Sequence, residues 1–190
     1  MSRPVWLLDV DGVLNAPRPG WGAAPRSGTA YSTGQPFRLR WAPALATRIR
    51  AVHGSGLVDI RWCSTWCSDA DQVERLLGLP CLDRAWHHPI STTAAAIAKL
   101  AAARAVLDLG RRLIWTDDAA VPTSGPVRDE LTATGRALLI APIPSRGLQP
   151  EDLDAIDASL TADHQDEAND AARDEALRVA RRLLGGTSAC

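Results

Sequence analysis

The chain lacks a long apolar run: no stretch of its 190 residues approaches the roughly 20 apolar residues of a membrane-spanning helix. Its opening, Met1-Ser2-Arg3-Pro4, passes straight into Val5-Trp6-Leu7-Leu8-Asp9. That apolar segment is too short for the core of a signal peptide and ends on an acid instead of a small-residue cleavage site. The expectation is a cytoplasmic protein with no membrane partner. Cysteine is scarce too. Cys63, Cys67, Cys81 and Cys190 are too few for a disulfide scaffold in a cytosolic chain of this length. Cys63 and Cys67 have no His or Cys pair at zinc spacing, and Cys81 with His87-His88 could join them only by long-range folding, so the thiols read as buried or idle. Lysine is nearly absent: Lys99 stands alone against twenty arginines. Arginine and alanine are favoured together, as in a high-GC genome, so a lysine that persists calls for a reason. Acid is missing from residues 12–58, which carry six arginines, whereas residues 151–175 carry ten acids and one arginine. The net charge of −1 therefore conceals a basic front and an acidic rear.

What is present suits one globular domain: 46% of residues are hydrophobic and 23% charged. Val5 to Asp9 reads as a buried parallel strand that delivers acids at its C-terminal end. Residues 15–41, rich in Pro and Gly, read as a long irregular flap. Pro43 opens a helix that ends at His53-Gly54-Ser55-Gly56. A strand over 57–63, a helix over 69–77, a short strand within 81–86 and a Ser91-capped alanine-rich helix ending at Gly110 follow. A strand over 112–116, a helix over 126–134, a strand over 137–141 and a helix over 150–160 complete the core. Residues 161–190 read as an acidic linker and a C-terminal amphipathic helix over 171–184, with its apolar stripe at Leu177, Ala180 and Leu184. Alternating strands and helices predict an α/β fold with a mostly parallel, Rossmann-like sheet over residues 1–160. Sites in such sheets form beyond the C-terminal strand ends.

Three of those ends carry polar residues: Asp9 with Asp11, Ser64 with Thr65, and Asp117 with Asp118. Two carboxylates one residue apart can divide a phosphoryl transfer between them. Asp9 can attack phosphorus, and Asp11 can protonate the leaving oxygen and then deprotonate water. Gly12 lets the chain turn away from the strand. Four acids in one crevice need a cation, and Mg2+ prefers oxygen ligands. Asp9, the Asp11 carbonyl and Asp117, with Asp118 beside it, are the candidate ligands. Ser64 or Thr65 can donate a hydroxyl to a phosphoryl oxygen, and Lys99 can place a compact positive charge on that group or on Asp9. Each feature also has a plainer reading: Asp-x-Asp-Gly as a turn, Asp117-Asp118 as a helix cap, Ser64 and Thr65 as a cap for the helix at 69, Lys99 as a surface lysine.

Taken in order over residues 4–150, these segments resemble the haloacid dehalogenase superfamily. Asp9-Val10-Asp11-Gly12-Val13-Leu14 resembles its nucleophile motif, Ser64-Thr65 its hydroxyl motif, Lys99 its lysine motif and Ile114-Trp115-Thr116-Asp117-Asp118 its acidic motif. The resemblance implies magnesium and an aspartyl-phosphate intermediate. The acid at position 11 implies a phosphatase, because the dehalogenase branch lacks it. About 34 residues separate Thr65 from Lys99, too few for an inserted cap domain, so the resemblance implies an open site of the kind that takes large substrates. Asp9-Val10-Asp11-Gly12-Val13-Leu14-Asn15 and Trp66 also resemble a bacterial group of the superfamily associated with RNA repair.

The flap carries Arg38 and Arg40 among Trp21, Tyr31, Phe37 and Trp41, a composition that binds nucleic-acid ends through phosphates and base faces. Arg38, Arg40 and Trp66 are therefore candidate substrate residues. The competing reading has the aromatics packing the flap and the arginines solvated. The expected function is a magnesium-dependent phosphomonoesterase acting on nucleic-acid 3′-phosphate ends or another large phosphorylated substrate. A nucleotide or sugar-phosphate phosphatase and a non-catalytic binding module remain the alternatives.

Overall fold

The computed structural model describes residues 2–162 together with Leu177 and Arg178. The expected C-terminal helix lies outside the described residues apart from that pair. In chain order the elements are β1 (Val5–Leu8), β2 (Arg26–Ser32), β3 (Gln35–Trp41), α1 (Pro43–Gly54), β4 (Asp59–Trp62), a 3-10 turn (Cys67–Asp69), α2 (Ala70–Leu77), β5 (Asp83–Arg84), α3 (Thr92–Asp108), β6 (Leu113–Thr116), α4 (Pro126–Thr132) and β7 (Ala137–Ile140). A further helix, α5, covers residues 150–162.

Five strands form one parallel sheet in the order β5-β4-β1-β6-β7, flanked by the helices. Among these five, the first strand in sequence lies at the centre and the next two in sequence run outward on one side of it. The chain then returns to the other side, the Rossmann-like arrangement that opens a crevice where the order reverses, between β1 and β6. Every residue of β1 and β6 is buried, as strands covered on both faces require.

Register decides where the polar ends fall. Leu8 pairs with Trp62 on one side and Thr116 on the other. The ladder runs one residue further: the Cys63 amide donates to the Leu8 carbonyl at 2.9 Å, and the Asp9 amide to the Thr116 carbonyl at 3.2 Å. Asp9, Cys63 and Asp117 therefore stand level at the end of the sheet.

The helices start and stop on ordinary signals. Pro43 lies in the first turn of α1, Ser91 Oγ accepts from the Ala94 amide at 3.2 Å to cap α3, and Gly78 ends α2 in the left-handed conformation at φ +65°.

The flap differs from expectation. Only residues 16–25 lack regular structure, and residues 26–41 form the antiparallel β2–β3 hairpin. Its inward positions include Gly28 and Ala30, so the alternation of large apolar residues that signals a strand is missing. A β-carbon at Gly28 would meet Leu76 Cδ1 at 2.5 Å, which records how closely β2 lies on α2. The two-residue turn Thr33-Gly34 has φ +48° and +78°, the pattern of a type I′ hairpin. A β-branched residue resists that conformation. Asp69 Oδ2 offsets the strain by accepting from the Ser32 hydroxyl at 3.0 Å and the Thr33 amide at 3.2 Å, so the hairpin tip is fastened to the 3-10 turn.

One buried acid belongs to the scaffold. Glu74 Oε1 accepts from the Trp62 indole N–H at 2.8 Å and from the Leu82 amide at 2.9 Å, tying α2 to β4 and to the approach of β5. Glu74→Ala strands both buried donors, and we expect a loss of about 2–4 kcal/mol. The check is urea unfolding followed by tryptophan fluorescence.

Candidate active site

Asp9 leaves the end of β1 almost wholly buried, and its carboxylate is surrounded by donors. Lys99 Nζ lies 2.6 Å from Oδ2, the Val10 amide donates to Oδ1 at 2.7 Å, and the Ser64 hydroxyl donates to the carboxylate as well. Ser64 is fully buried, and its Oγ also accepts from the Trp66 amide at 3.3 Å. Thr65 makes no such contact with Asp9, so of the two hydroxyls it is Ser64 that the fold directs at the acid. The Ser64 position follows from β4 ending at Trp62, with Cys63 continuing the ladder and the chain turning at Ser64.

Lys99 reaches the same point from the buried side of α3. Its ammonium also ion-pairs with Asp117 Oδ2 at 2.7 Å, off the axis of a good hydrogen bond. Asp117 Oδ1 accepts from the Ala119 and Ala120 amides at 3.0 and 2.6 Å. No helix begins here, so Asp117 is not a helix cap; one of its oxygens closes the turn over residues 118–120, while the other faces the lysine. Burial alone would push the Lys99 proton off, but Asp9 and Asp117 outweigh it and hold the ammonium above its ordinary range. The same burial, joined by the charge of Asp117, lifts Asp9 from its ordinary 3.8 to about 7 despite Lys99. Asp118, half-buried, is lifted by burial and then by Asp117.

Asp9, Asp117 and Asp118 each offer a carboxylate oxygen within 4.8 Å of the others. Three carboxylates against one ammonium leave excess negative charge in a poorly solvated place. The donor set is all oxygen and fits a hard divalent ion such as magnesium. Cys63 and Cys67 are buried nearby as free thiols, and burial raises both above the ordinary thiol range. Cys67 Sγ is occupied at the Ser64 turn, where the Ser64 amide donates to it at 3.4 Å. Gly12 sits at φ +68°, and a β-carbon there would lie 2.2 Å from Asp118 Cγ. Glycine is required at this turn for its backbone angle and for the space that Asp118 fills.

Asp11 is exposed and is not one of the acidic trio, although its charge adds to the rise of Asp118. Oδ1 accepts from Asn15 Nδ2 at 2.7 Å and Oδ2 from the Trp66 indole N–H at 2.9 Å. Trp66, expected to touch substrate, is 3% exposed and instead serves Asp11. Arg38 and Arg40 do not join the cluster: no contact of either guanidinium with the acids occurs. Strand alternation puts both on the face of β3 opposite Phe37, Leu39 and Trp41, and Arg38 donates to Ser27 Oγ at 2.9 Å across the hairpin. In the sequence Asn15 entered only through the family resemblance and Phe37 only as one of the flap aromatics; the signals for their contacts are the four-residue offset of Asn15 from Asp11 and the inward register of Phe37. His87 and His88 are exposed on a loop. Among the described residues no helix is long and apolar enough to cross a membrane. The chain matches no protein-family model, no curated protein and no solved structure.

The charge balance gives opposite signs for two substitutions in metal-free protein. Between pH 3.8 and about 7 the folded chain keeps a proton at Asp9 that the unfolded chain releases, so stability falls as the pH rises through that window. Asp9→Asn removes this penalty. We expect its melting temperature at pH 8 in EDTA to exceed the parent's by about 2–8 °C, the gap closing below pH 4. Lys99→Met leaves the acids uncompensated and should lose about 3–5 kcal/mol. Thermal melts of both variants with a chelator check the pair, and the same direction of change in both would refute the charge balance.

Proposed function

We propose that the protein is a magnesium-dependent phosphomonoesterase of the haloacid dehalogenase type, without a large cap domain, working through an aspartyl-phosphate at Asp9. The observation that carries this reading is the placement of one buried carboxylate, Asp9, against Lys99, the Ser64 hydroxyl and the Asp117-Asp118 pair at the switch point of a parallel sheet. Fold alone hosts many chemistries, so the argument rests on the site.

Magnesium held by Asp9, Asp117 and Asp118 would supply positive charge to the phosphoryl oxygens and relieve their repulsion of the nucleophile. The chain's own residues do the rest. An Asp9 carboxylate oxygen forms a bond to phosphorus as the bond from phosphorus to the leaving oxygen breaks. Asp11, in its acid form, gives its proton to that oxygen, and the alcohol departs. Water then attacks phosphorus, Asp11 takes its proton, inorganic phosphate leaves, and Asp9 is restored as a carboxylate. Lys99 and Ser64 hold Asp9 in place and face the phosphoryl with donors.

Access supports a large substrate. Among the described residues only the β2–β3 hairpin and the loop before it lie between β1 and α1, so nothing of domain size stands over the crevice. The outer face of the hairpin carries Arg38 and Arg40 with Tyr31, which is 52% exposed, and residues 12–58 hold no acid to oppose a polyanion. A nucleic-acid end bearing a 3′-phosphate is the substrate class that this surface fits best.

The test is phosphate release from p-nitrophenyl phosphate, nucleotides, sugar phosphates and oligonucleotides phosphorylated at the 3′ or 5′ end, each with magnesium and with EDTA. We expect activity only with magnesium, none for Asp9→Asn, and a loss of about 10²–10⁴ in kcat for Asp11→Asn. Parent-level turnover by Asp9→Asn sinks the nucleophile assignment. Preference for a free nucleotide or sugar phosphate over every oligonucleotide sinks the large-substrate assignment alone.

A further inference from the structure

Asp11 presents a problem that its neighbours solve. It is an exposed aspartate on a turn, where a side chain rotates freely, yet a proton donor must aim at one leaving oxygen. Two donors hold it, one on each oxygen: Asn15 Nδ2 at 2.7 Å and the Trp66 indole N–H at 2.9 Å. Neither can reverse. An indole N–H only donates. The Asn15 amide is fixed by its other end, because Asn15 Oδ1 accepts from the Arg40 main-chain N–H at 2.9 Å, and a main-chain N–H likewise only donates. The Asn15 main chain closes the same turn, its carbonyl accepting from the Gly12 amide at 2.9 Å.

Both braces are backed by one strand. The Ala16 amide donates to the Arg40 carbonyl at 2.9 Å, so the Asn15 side chain and the main chain that follows it are both sewn to β3 at Arg40. Trp66 is covered by Phe37, also of β3, in an edge-to-face contact with ring centres 5.5 Å apart and planes at 76°. The hairpin tip is fastened through Asp69 to the turn that follows Trp66. β3 thus supports the two groups that grip Asp11, while its hydrogen bonds go to neither Asp9 nor Asp117 nor Asp118.

We infer that Asn15 and Trp66 are positioning residues for Asp11, and that the β2–β3 hairpin orients the proton donor through them, with Arg40 acting by its main chain and Phe37 by its ring. The inference rests on the phosphatase reading above, and it states how the hairpin serves the chemistry independently of any grip on substrate. Asp11 serves both steps, and kcat/KM reads the first of them, the departure of the alcohol. Turning the Asp11 carboxylate misdirects the proton, which matters for a strongly basic leaving oxygen and little for one that departs as a stable anion.

The experiment compares kcat/KM for p-nitrophenyl phosphate with kcat/KM for an alkyl phosphate, with magnesium, in the parent and three variants. Asn15→Asp keeps the size and the acceptor facing Arg40 but removes the donor. Trp66→Phe removes the indole N–H. Phe37→Ala unbacks Trp66 from a position 47% exposed, where truncation disturbs the fold least. We expect each variant to lose about tenfold or more on the alkyl ester and less than about threefold on the aryl ester, while inhibition by inorganic phosphate stays at the parent level. An equal loss on both esters, or no loss on either, overturns the inference, since a merely structural role lowers both together. If Asp9→Asn abolishes activity and Asp11→Asn cuts it about 10²–10⁴-fold while these variants match the parent, positioning fails and the phosphatase reading stands. If the parent itself shows no magnesium-dependent turnover, both fall.

Discussion

Two buried carboxylates share one ammonium. Asp9 and Asp117 end adjacent parallel strands, and Lys99 Nζ sits 2.6 and 2.7 Å from them. Without that charge, two acids standing level at the end of a buried sheet would repel each other in a medium that screens poorly. The requirement propagates outward. α3 must run so that one buried position reaches the β1–β6 junction, and the strand order must reverse at that junction. The identity of the residue follows from the same constraint. A compact ammonium on a flexible stem fits between two oxygens where the planar fork of a guanidinium would need a wider space. In a chain that otherwise uses arginine for positive charge, this is a physical reason for a single lysine.

The balance is incomplete by design of the residues present. One ammonium faces Asp9 and Asp117, with Asp118 close by, and the excess negative charge of these oxygens is what a hard cation would offset. Scaffold acids are treated differently. Glu74 is also buried, but it is met by the neutral N–H donors of Trp62 and Leu82 and has no share in the cluster. Arg48 pairs with Asp154 and Asp157 on the surface between α1 and α5, where water does much of the work.

Much of this was legible in the sequence. Strands covered on both faces appear as short unbroken apolar runs, so β1 and β6 could be placed to within a residue or two, and the acids at their ends named. Lys99 stood out because nothing else in the chain is lysine. Register was not legible: whether Asp9 and Asp117 stand level depends on Leu8 opposing Thr116, a tertiary fact. The hairpin was hidden for a different reason. Its inward positions include Gly28 and Ala30, small because α2 lies close, and small residues leave no hydrophobic alternation to read. Where Trp66 and the flap arginines point was not legible either. Composition marks a segment as basic and aromatic but cannot say which face of a strand each side chain takes, and that parity sends Phe37 inward and Arg38 and Arg40 outward.

At position 40 the structure separates a residue's name from its contribution. The guanidinium is exposed and without a partner among the described residues, while the main-chain N–H and carbonyl hold Asn15 and Ala16. Nineteen side chains out of twenty bring the same N–H to that place, and only proline, which has none, withholds it. For its hold on Asn15, position 40 is therefore permissive to all but one residue, and a substitution scan that tries only alanine there would leave that role unseen.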